Sequence, residues 1–405
     1  MIEEKIEIDS LFFELPFEEI ITFCTNLIHL YQIVTPTVIT SLRKSFPGIS
    51  LTQQQIILDI VLGSLRGQRL GKFPKGWYVT SILAEQATHM VISDYHGSKF
   101  KGIKTALEIC TGSANDTVAL AKNVKTVHTF ENNYLHYLLA QQNSNKIGIN
   151  NVHFHFGDIE NADISTIPFS GLWADPSRRD TLGQRKFTVA GYSPSLEFLV
   201  SLSKQCEISG IKVSPSIHHP IEIGWIRDFV GFEKECKEEI LWKKSDSSHH
   251  CLTLIEPFTQ WFFDEELEIS RQTHVELQEG MYLYEPHSIL VRSKQTKQYY
   301  SELGITSLDK ESVYGVSNNY FQLEMVTVFR ILSIVPYKTK EIQKVIDTFQ
   351  WNERTEVKKR NFPYLPEEIQ KDIRFSTDST DYGVLICTRH NGKLTAIFAR
   401  RVAAQ

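Results

Sequence analysis

No two cysteines in the chain are spaced C-x-x-C. The six, Cys24, Cys110, Cys206, Cys236, Cys251 and Cys387, are scattered over 405 residues. Reduced thiols in a cytoplasmic protein are therefore expected, rather than a disulfide framework. No apolar run reaches the roughly 20 residues of a membrane span. The opening Met1-Ile2-Glu3-Glu4-Lys5 is acidic and lacks a secretory pattern, so no membrane partner is expected. Internal repeats and low-complexity tracts are missing too. What remains is ordinary globular composition, 41% hydrophobic and 22% charged, with length enough for two or three domains.

A positive excess is also lacking: the net charge is -5, which gives no global sign of nucleic-acid binding. The charge is uneven, however. Residues 331–405 hold 13 Lys and Arg against 9 Asp and Glu, a net charge of about +4 that leaves about -9 on the remainder. A basic C-terminal module on an acidic body points mildly to a polyanionic partner. A solvated surface without a partner accounts for the charge equally well.

The chain is organised around residues 104–131. Thr105-Ala-Leu-Glu108-Ile109 reads as a buried strand. It stops at the small and polar stretch Cys110-Thr-Gly112-Ser-Ala114-Asn115-Asp116. Asp116 either caps the helix that follows, Thr117–Ala121, or sits in its first turn. Val124–Phe130 is a second strand, ending on Glu131. Small side chains let a backbone approach a ligand, a helix N-terminus offers free N–H groups, and an acid closing the second strand can accept both hydroxyls of a ribose. A βαβ unit with a tight turn and no ligand has the same outline.

Farther along, Asn151–Phe156 alternates as a strand and ends at Gly157-Asp158. His153 and His155 share one face of it. No third ligand is near, so packed histidines rather than a metal pair are expected there. Gly171-Leu-Trp173-Ala174 leads into Asp175-Pro176-Ser177-Arg178-Arg179-Asp180, where a fourth parallel strand should end and where ligands of open α/β sheets bind. A carboxylate and exposed carbonyls there can accept hydrogen bonds from a ligand amine and fix its orientation, and alignment can supply much of a reaction. Arg178 and Arg179 can grip a phosphate or carboxylate in forked geometry, or be surface arginines. A helix starting at Ser193-Pro194 and a fifth strand, Gly210–Val213, follow, with Lys212 and Ser214 at the pocket edge. Ile217-His218-His219 and Ser248-His249-His250 read as polar loops. No metal is expected.

Flanking regions complete the plan. Residues 1–98 read as helical, with Thr52 a plausible cap and one helix over Thr80–Tyr95 running straight into the central strand. Glu233–Trp242 reads as a strand paired with Cys251–Leu254. Residues 256–319 form a connecting region, with a strand at Met281–Tyr284 and a helix over Pro286–Leu303. Residues 320–405 read as an α+β module. Its parts are strands in Phe321–Val335, a helix over Lys338–Phe349, the basic strand Thr355-Glu-Val-Lys358-Lys359-Arg360, a helix over Leu365–Ile373 and a hairpin around His390-Asn391-Gly392.

These stretches resemble the class I S-adenosylmethionine (SAM) methyltransferases that carry a C-terminal THUMP-like domain. The matching elements, in order, are Glu85-Gln86-Ala87-Thr88, Glu108 to Asp116, Asp175 to Arg179, Lys212-Val-Ser-Pro215, Glu233 to Trp242, Tyr284-Glu285-Pro286 and Glu356 to Asn361. Asp175-Pro176-Ser-Arg178-Arg179 is also similar to the Asp-Pro-Pro-Arg motif of some RNA methyltransferases. The chain departs from the family in its turn, where Cys110 and Ala114 replace glycines and only Gly112 stands, and in Glu108, which replaces an aspartate. The resemblance implies a Rossmann-like α/β fold in four parts: a helical domain (1–98), a SAM domain (99–255), the connecting region and a THUMP-like domain (320–405).

Its implied cofactor set is Glu108, Cys110, Gly112, Asp116, Glu131, Asn132 and Asp158. Glu108 and Asp116 would face the methionine end, Glu131 the ribose and Asp158 the adenine. Asp175 and Pro176 would position a target amine, while Arg178, Arg179, Lys358, Lys359 and Arg360 would contact phosphates. RNA follows only by analogy with THUMP domains. The expectation is methyl transfer to a base nitrogen of tRNA or rRNA. The alternatives are a methyltransferase on a protein or small molecule, and a cofactor-free RNA-binding protein derived from an enzyme.

Overall fold

The structure, a computed structural model, describes residues 2–31, 34–178, 188–216, 224–244, 249–264, 275–309 and 312–402. Arg179, Asp180, Ile217, His218, His219 and Ser248 lie outside the described residues. The chain divides into two compact units, Met1–Ile226 with Ile240–Ser248, and Arg227–Glu239 with His249–Gln405.

The first unit opens with α1 (Ile2–Phe13), α2 (Phe17–Tyr31), α3 (Pro36–Ser45) and α4 (Leu51–Arg69). Leu11, Ile20, Cys24, Leu42, Ile57 and Val61 form their buried core. Ser50, not Thr52, caps α4. Its hydroxyl accepts from Gln53 N at 3.1 Å, and Gln53 Oε1 accepts from Ser50 N at 3.0 Å. That reciprocal box satisfies two end donors at once and fixes the start.

The single helix expected over 80–95 is two, α5 (Ser81–Gln86) and α6 (Met90–Lys99). Ala87 is extended, with ψ 144°. Thr88 is drawn out of helical bonding: its carbonyl accepts from Asn115 Nδ2 at 2.7 Å, and its hydroxyl accepts from Lys212 Nζ at 2.8 Å.

There follow β1 (Thr105–Ile109), α7 (Asn115–Ala121), β2 (Thr126–Glu131), α8 (Tyr134–Lys146), β3 (Val152–Phe156), β4 (Gly171–Ala174), α9 (Leu196–Ser203) and β5 (Ile208–Val213). The five strands are parallel in the order β3-β2-β1-β4-β5. All five residues of β1 are buried, which is why it reads as a continuous run without alternation. The chain reverses direction of winding between β1 and β4, and the crevice beyond their carboxyl ends is where such sheets take ligands. Gly210 of β5 is required by packing: a Cβ there would lie 2.4 Å from the Trp242 ring and 2.8 Å from Trp173.

Strands β6 (Trp225–Phe232) and β7 (Glu235–Lys244) come next, and β7 follows β5 in hydrogen-bonded order. In the second unit, β8 (His250–Leu254) pairs in parallel with β6 and antiparallel with β9 (Thr259–Phe263). The partner of β8 is therefore β6, not the 233–242 strand. The buried Asp228 of β6 accepts from Thr253 Oγ1 of β8 at 2.7 Å, which ties that register.

The remaining elements are β10 (Tyr282–Pro286), α10 (Ser288–Arg292), α11 (Thr296–Glu302), β11 (Thr306–Ser307), β12 (Gly315–Ser317), β13 (Val326–Pro336), α12 (Thr339–Phe349), β14 (Glu356–Lys359), α13 (Pro366–Lys371), β15 (Val384–His390) and β16 (Lys393–Arg401). The helix expected over 286–303 breaks in two at Lys294, whose φ is +63°. The strands form a seven-stranded sheet, β11-β12-β10-β13-β16-β15-β14. The β15–β16 hairpin turns on Asn391 and Gly392, both with positive φ, the geometry of a tight primed turn. Among the described residues no helix is long and apolar enough to cross a membrane.

Candidate active site

The turn after β1 runs from Cys110 (φ 70°) through Gly112 (φ 57°) to Ala114 (φ 72°). Three left-handed residues in five explain the small side chains there. Cys110 N and Thr111 N both donate to Phe130 O, at 3.0 and 3.2 Å, so the turn hangs from the end of β2. Glu131, 7% exposed, then pins it from the side. Its Oε2 accepts from Gly112 N and its Oε1 from Asn133 N, each at 2.9 Å. A carboxylate has about four lone-pair sites, so acceptor capacity remains after these two bonds.

Glu108 and Asp116 lie on either side of the turn in sequence and behave differently. Glu108 is fully buried in β1 and accepts from Thr117 Oγ1 of α7 at 2.6 Å. Burial pushes its carboxyl up to about 8, against the pull of bonds from Thr117 and Thr129. It is thus a structural tie between β1 and α7. Asp116, in the first turn of α7, is hydrogen-bonded to the wholly buried His96 of α6, at 2.9 Å. Desolvation opposes its charge, but His96, then Lys212, hold the carboxyl below its ordinary range. The His96 ring in turn lies 4.3 Å from that of Trp173 on β4.

The end of β4 carries the next acid. Asp175 N donates to Ile109 O at 3.2 Å, and Asp175 Oδ2 accepts from Lys212 Nζ at 2.8 Å. The same ammonium bonds Thr88, so Lys212 ties the Glu85-Gln86-Ala87-Thr88 stretch to the Asp175 loop. Pro176 is buried. Ser177 exchanges two backbone bonds with Ser193, each at 2.9 Å. Arg178 is half-buried beside it. Asp158, exposed past the end of β3, caps its own 3-10 turn through Glu160 N. Asn132 is exposed.

The first unit thus brings Cys110, Gly112, Asp116, Glu131, Asn132, Asp158, Asp175, Pro176 and Arg178 to turns at or just beyond the carboxyl ends of adjacent parallel strands. Glu108 sits inside β1. Lys358, Lys359 and Arg360 belong to the second unit.

Sequence reasoning missed three residues. His96 has no local signal, because it meets Asp116 only through packing of α6 on α7. Asn115 donates through Nδ2 to the carbonyls of Lys72 (3.0 Å) and Thr88, fixing two loops over the start of α7. Asn133 acts through its backbone, which no side-chain pattern reports.

The departures from the glycine pattern can be judged directly. Ala114 is fully buried and packs with Phe73, Leu83, Val118 and Ala140, so its methyl belongs to the core. Cys110 packs against the cluster of Leu107, Ile109, Leu172 and Val213. Burial and the carboxylates of Glu131 and Asp175 hold its thiol well above its ordinary range. At Gly112 an added Cβ would meet nothing nearer than Leu83 Cδ2 at 3.7 Å.

A parallel sheet of this order, with acids closing β2 and β4 around a small-residue turn, is the class I methyltransferase fold. Residues 326–401 match the family described as THUMP domain-like, so a THUMP-like domain stands at the C-terminus. The whole fold is that of a crystal structure described as a "putative methyltransferase" from Porphyromonas gingivalis W83. The TM-score is 0.75 at 20% identity, covering 95% of this chain and 99% of that one. Shorter overlaps occur with a tRNA (m1A58) methyltransferase from Aquifex aeolicus (TM-score 0.26, 23% identity, 34% of this chain and 50% of that one). An rRNA methylase from Streptococcus thermophilus gives 0.29, 15%, 38% and 94%. Overlaps of that size carry no functional argument. No curated protein sequence matches the chain.

Proposed function

We propose that the chain is a SAM-dependent methyltransferase acting on a base nitrogen of structured RNA. The observation that carries the cofactor reading is the Glu131 carboxylate, bonded to Gly112 N and Asn133 N, at the mouth of the turn. The residues present fit SAM. The methyl of Ala114 is turned into the core, Gly112 leaves its face open, and Asn115 Oδ1 is a buried acceptor with no partner among the described residues. Glu131, Asp116 and Asp158 match the positive charge of a sulfonium and an ammonium.

SAM, when bound, supplies a methyl already activated by the sulfonium. This chain's residues supply position. Asp116, kept ionised by His96, would hold the ammonium of the methionine part. Glu131 would accept from the ribose, and Asp158 from the adenine amine. Asp175, paired with Lys212, and the carbonyls of the Asp175-Pro176 turn would accept from the target nitrogen and orient its lone pair. Catalysis by alignment needs no general base of high strength at this point. The target being RNA rests on the THUMP-like domain and on the basic residues of β14.

Calorimetric titration with SAM and S-adenosylhomocysteine tests the cofactor, and transfer of labelled methyl from SAM to total RNA tests the substrate. Micromolar cofactor binding with label in RNA is expected. Binding with label in protein instead would redirect the substrate. No binding of either ligand at millimolar concentration would remove the enzyme reading.

A further inference from the structure

A cleft of about 490 Å³ opens in the second unit, lined by Lys359, Arg360, Asn361, Phe362, Pro363 and Arg389. That is within the ~300–1,000 Å³ typical of ligand sites. Its lining holds three cations and no acid. Lys358, their neighbour on β14, is spoken for: its ammonium lies 2.7 Å from Glu285 Oε2 and 3.3 Å from Glu356 Oε1. Strand alternation sends Lys359 to the opposite face. Neither Lys359 nor Arg360 has a carboxylate within ion-pair distance among the described residues. Among the described residues the Arg389 side chain bonds the Gly392 carbonyl, at 3.3 Å, and no carboxylate.

Aromatic rings adjoin the cleft. Pro363 is followed by Tyr364, 47% exposed. One side of its ring is backed by Tyr337, stacked at 5.8 Å and 22°. Phe362 lies edge-on to Tyr337 at 4.7 Å and holds it in place. A supported, half-exposed ring next in chain to a cleft whose cations have no carboxylate partner among the described residues combines a stacking surface with a phosphate site. Single strands use that combination, because only unpaired bases can splay onto a ring.

We propose that this cleft binds an unpaired stretch of RNA, with a phosphate held by Lys359, Arg360 and Arg389 and an adjacent base stacked on Tyr364. The proposal rests on the RNA reading above and narrows it: duplex stems are not what this face recognises.

The test is fluorescence anisotropy with the full chain. The probe is a labelled mixed-sequence oligoribonucleotide of about 12 nucleotides, within the usual site size, used alone and annealed into a blunt duplex. Tyr364→Ala is expected to weaken single-strand binding about tenfold and leave duplex binding unchanged. Arg360→Glu and Arg389→Glu, made separately, are each expected to weaken it by a similar factor and to flatten its salt dependence. Unaltered melting temperature and SAM affinity would show that the variants are folded. If all three variants bind single strands as the unmodified chain does, the proposal is overturned while the RNA reading stands. Equal loss on duplex and single strand in Tyr364→Ala overturns the stacking mode. No RNA binding by the unmodified chain overturns both.

Discussion

In the first unit three carboxylates around the turn already have partners: Glu131 has Gly112 and Asn133, Asp116 has His96, and Asp175 has Lys212. In the second unit Lys359 and Arg360 have no carboxylate within ion-pair distance among the described residues. A site whose charged groups are held by the protein is preorganised, so a small ligand finds oriented acceptors and little order is lost on binding. Cations left to solvent suit a chain of phosphates, where affinity comes from counterion release and exact placement matters less. The contrast implies that substitutions in the first unit act on geometry and those in the cleft act on charge.

The largest effect is expected for Glu131→Ala. It removes two charge-assisted bonds, one from Gly112 N in the turn and one from Asn133 N after β2, each worth about 1.5–3 kcal/mol, so SAM affinity should fall roughly 100-fold or more by calorimetry. Glu131→Gln keeps an acceptor for Gly112 N and should lose less. Equal losses in the two would mean that charge, not turn geometry, governs the site, and would break the comparison.

Asp175→Asn ranks next. With the Lys212 contact kept in shape, SAM affinity should stay within about twofold while the rate of methyl transfer falls on the order of 100-fold, the size of a lost alignment. Single-turnover rates beside the binding constant separate the two. A matching loss of affinity would make Asp175 part of the cofactor's own shell.

The sheet and its turn are legible because β1 is a short, wholly buried run broken by small residues, and because Glu131 and Asp175 end strands visibly. What pairs with them is not legible. Lys212 lies 37 residues from Asp175 and His96 20 from Asp116, and those distances close only when the sheet is wound. The division of α5 from α6 is hidden for the same reason: Thr88 is pulled from helical bonding by Asn115 and Lys212, not by a breaker at that spot. Lys358, Lys359 and Arg360 look alike in sequence, yet the alternation of β14 gives Lys358 to Glu285 and leaves Lys359 for the cleft.

Glu108 sharpens the contrast through pH. Burial raises its carboxyl to about 8 in the folded chain, against about 4.3 unfolded. The folded state therefore binds the extra proton between these values. The stability it brings is complete below about pH 4.3, declines as pH rises and is lost above about 8. Glu108→Gln keeps the acceptor for Thr117 and cannot ionise. It should match the unmodified melting temperature near pH 5 and exceed it by several degrees near pH 9, measured by calorimetry. Parallel curves across that range would place the carboxylate in a wetter site than β1 provides.

The smallest effect discriminates best within the second unit. Lys358 and Glu285 are 19% and 18% exposed, so Lys358→Met leaves a partly buried carboxylate with its main cation gone, at a cost of about 1 kcal/mol. Because Glu285 belongs to β10 and Lys358 to β14, the loss should show in denaturant midpoint and not in RNA affinity. Lys359→Met should do the reverse, sparing the midpoint and weakening RNA binding with a salt slope reduced by about one. Two adjacent lysines with opposite readouts would establish that the basic strand is half scaffold and half binding surface. Identical readouts would return β14 to an undivided charged patch.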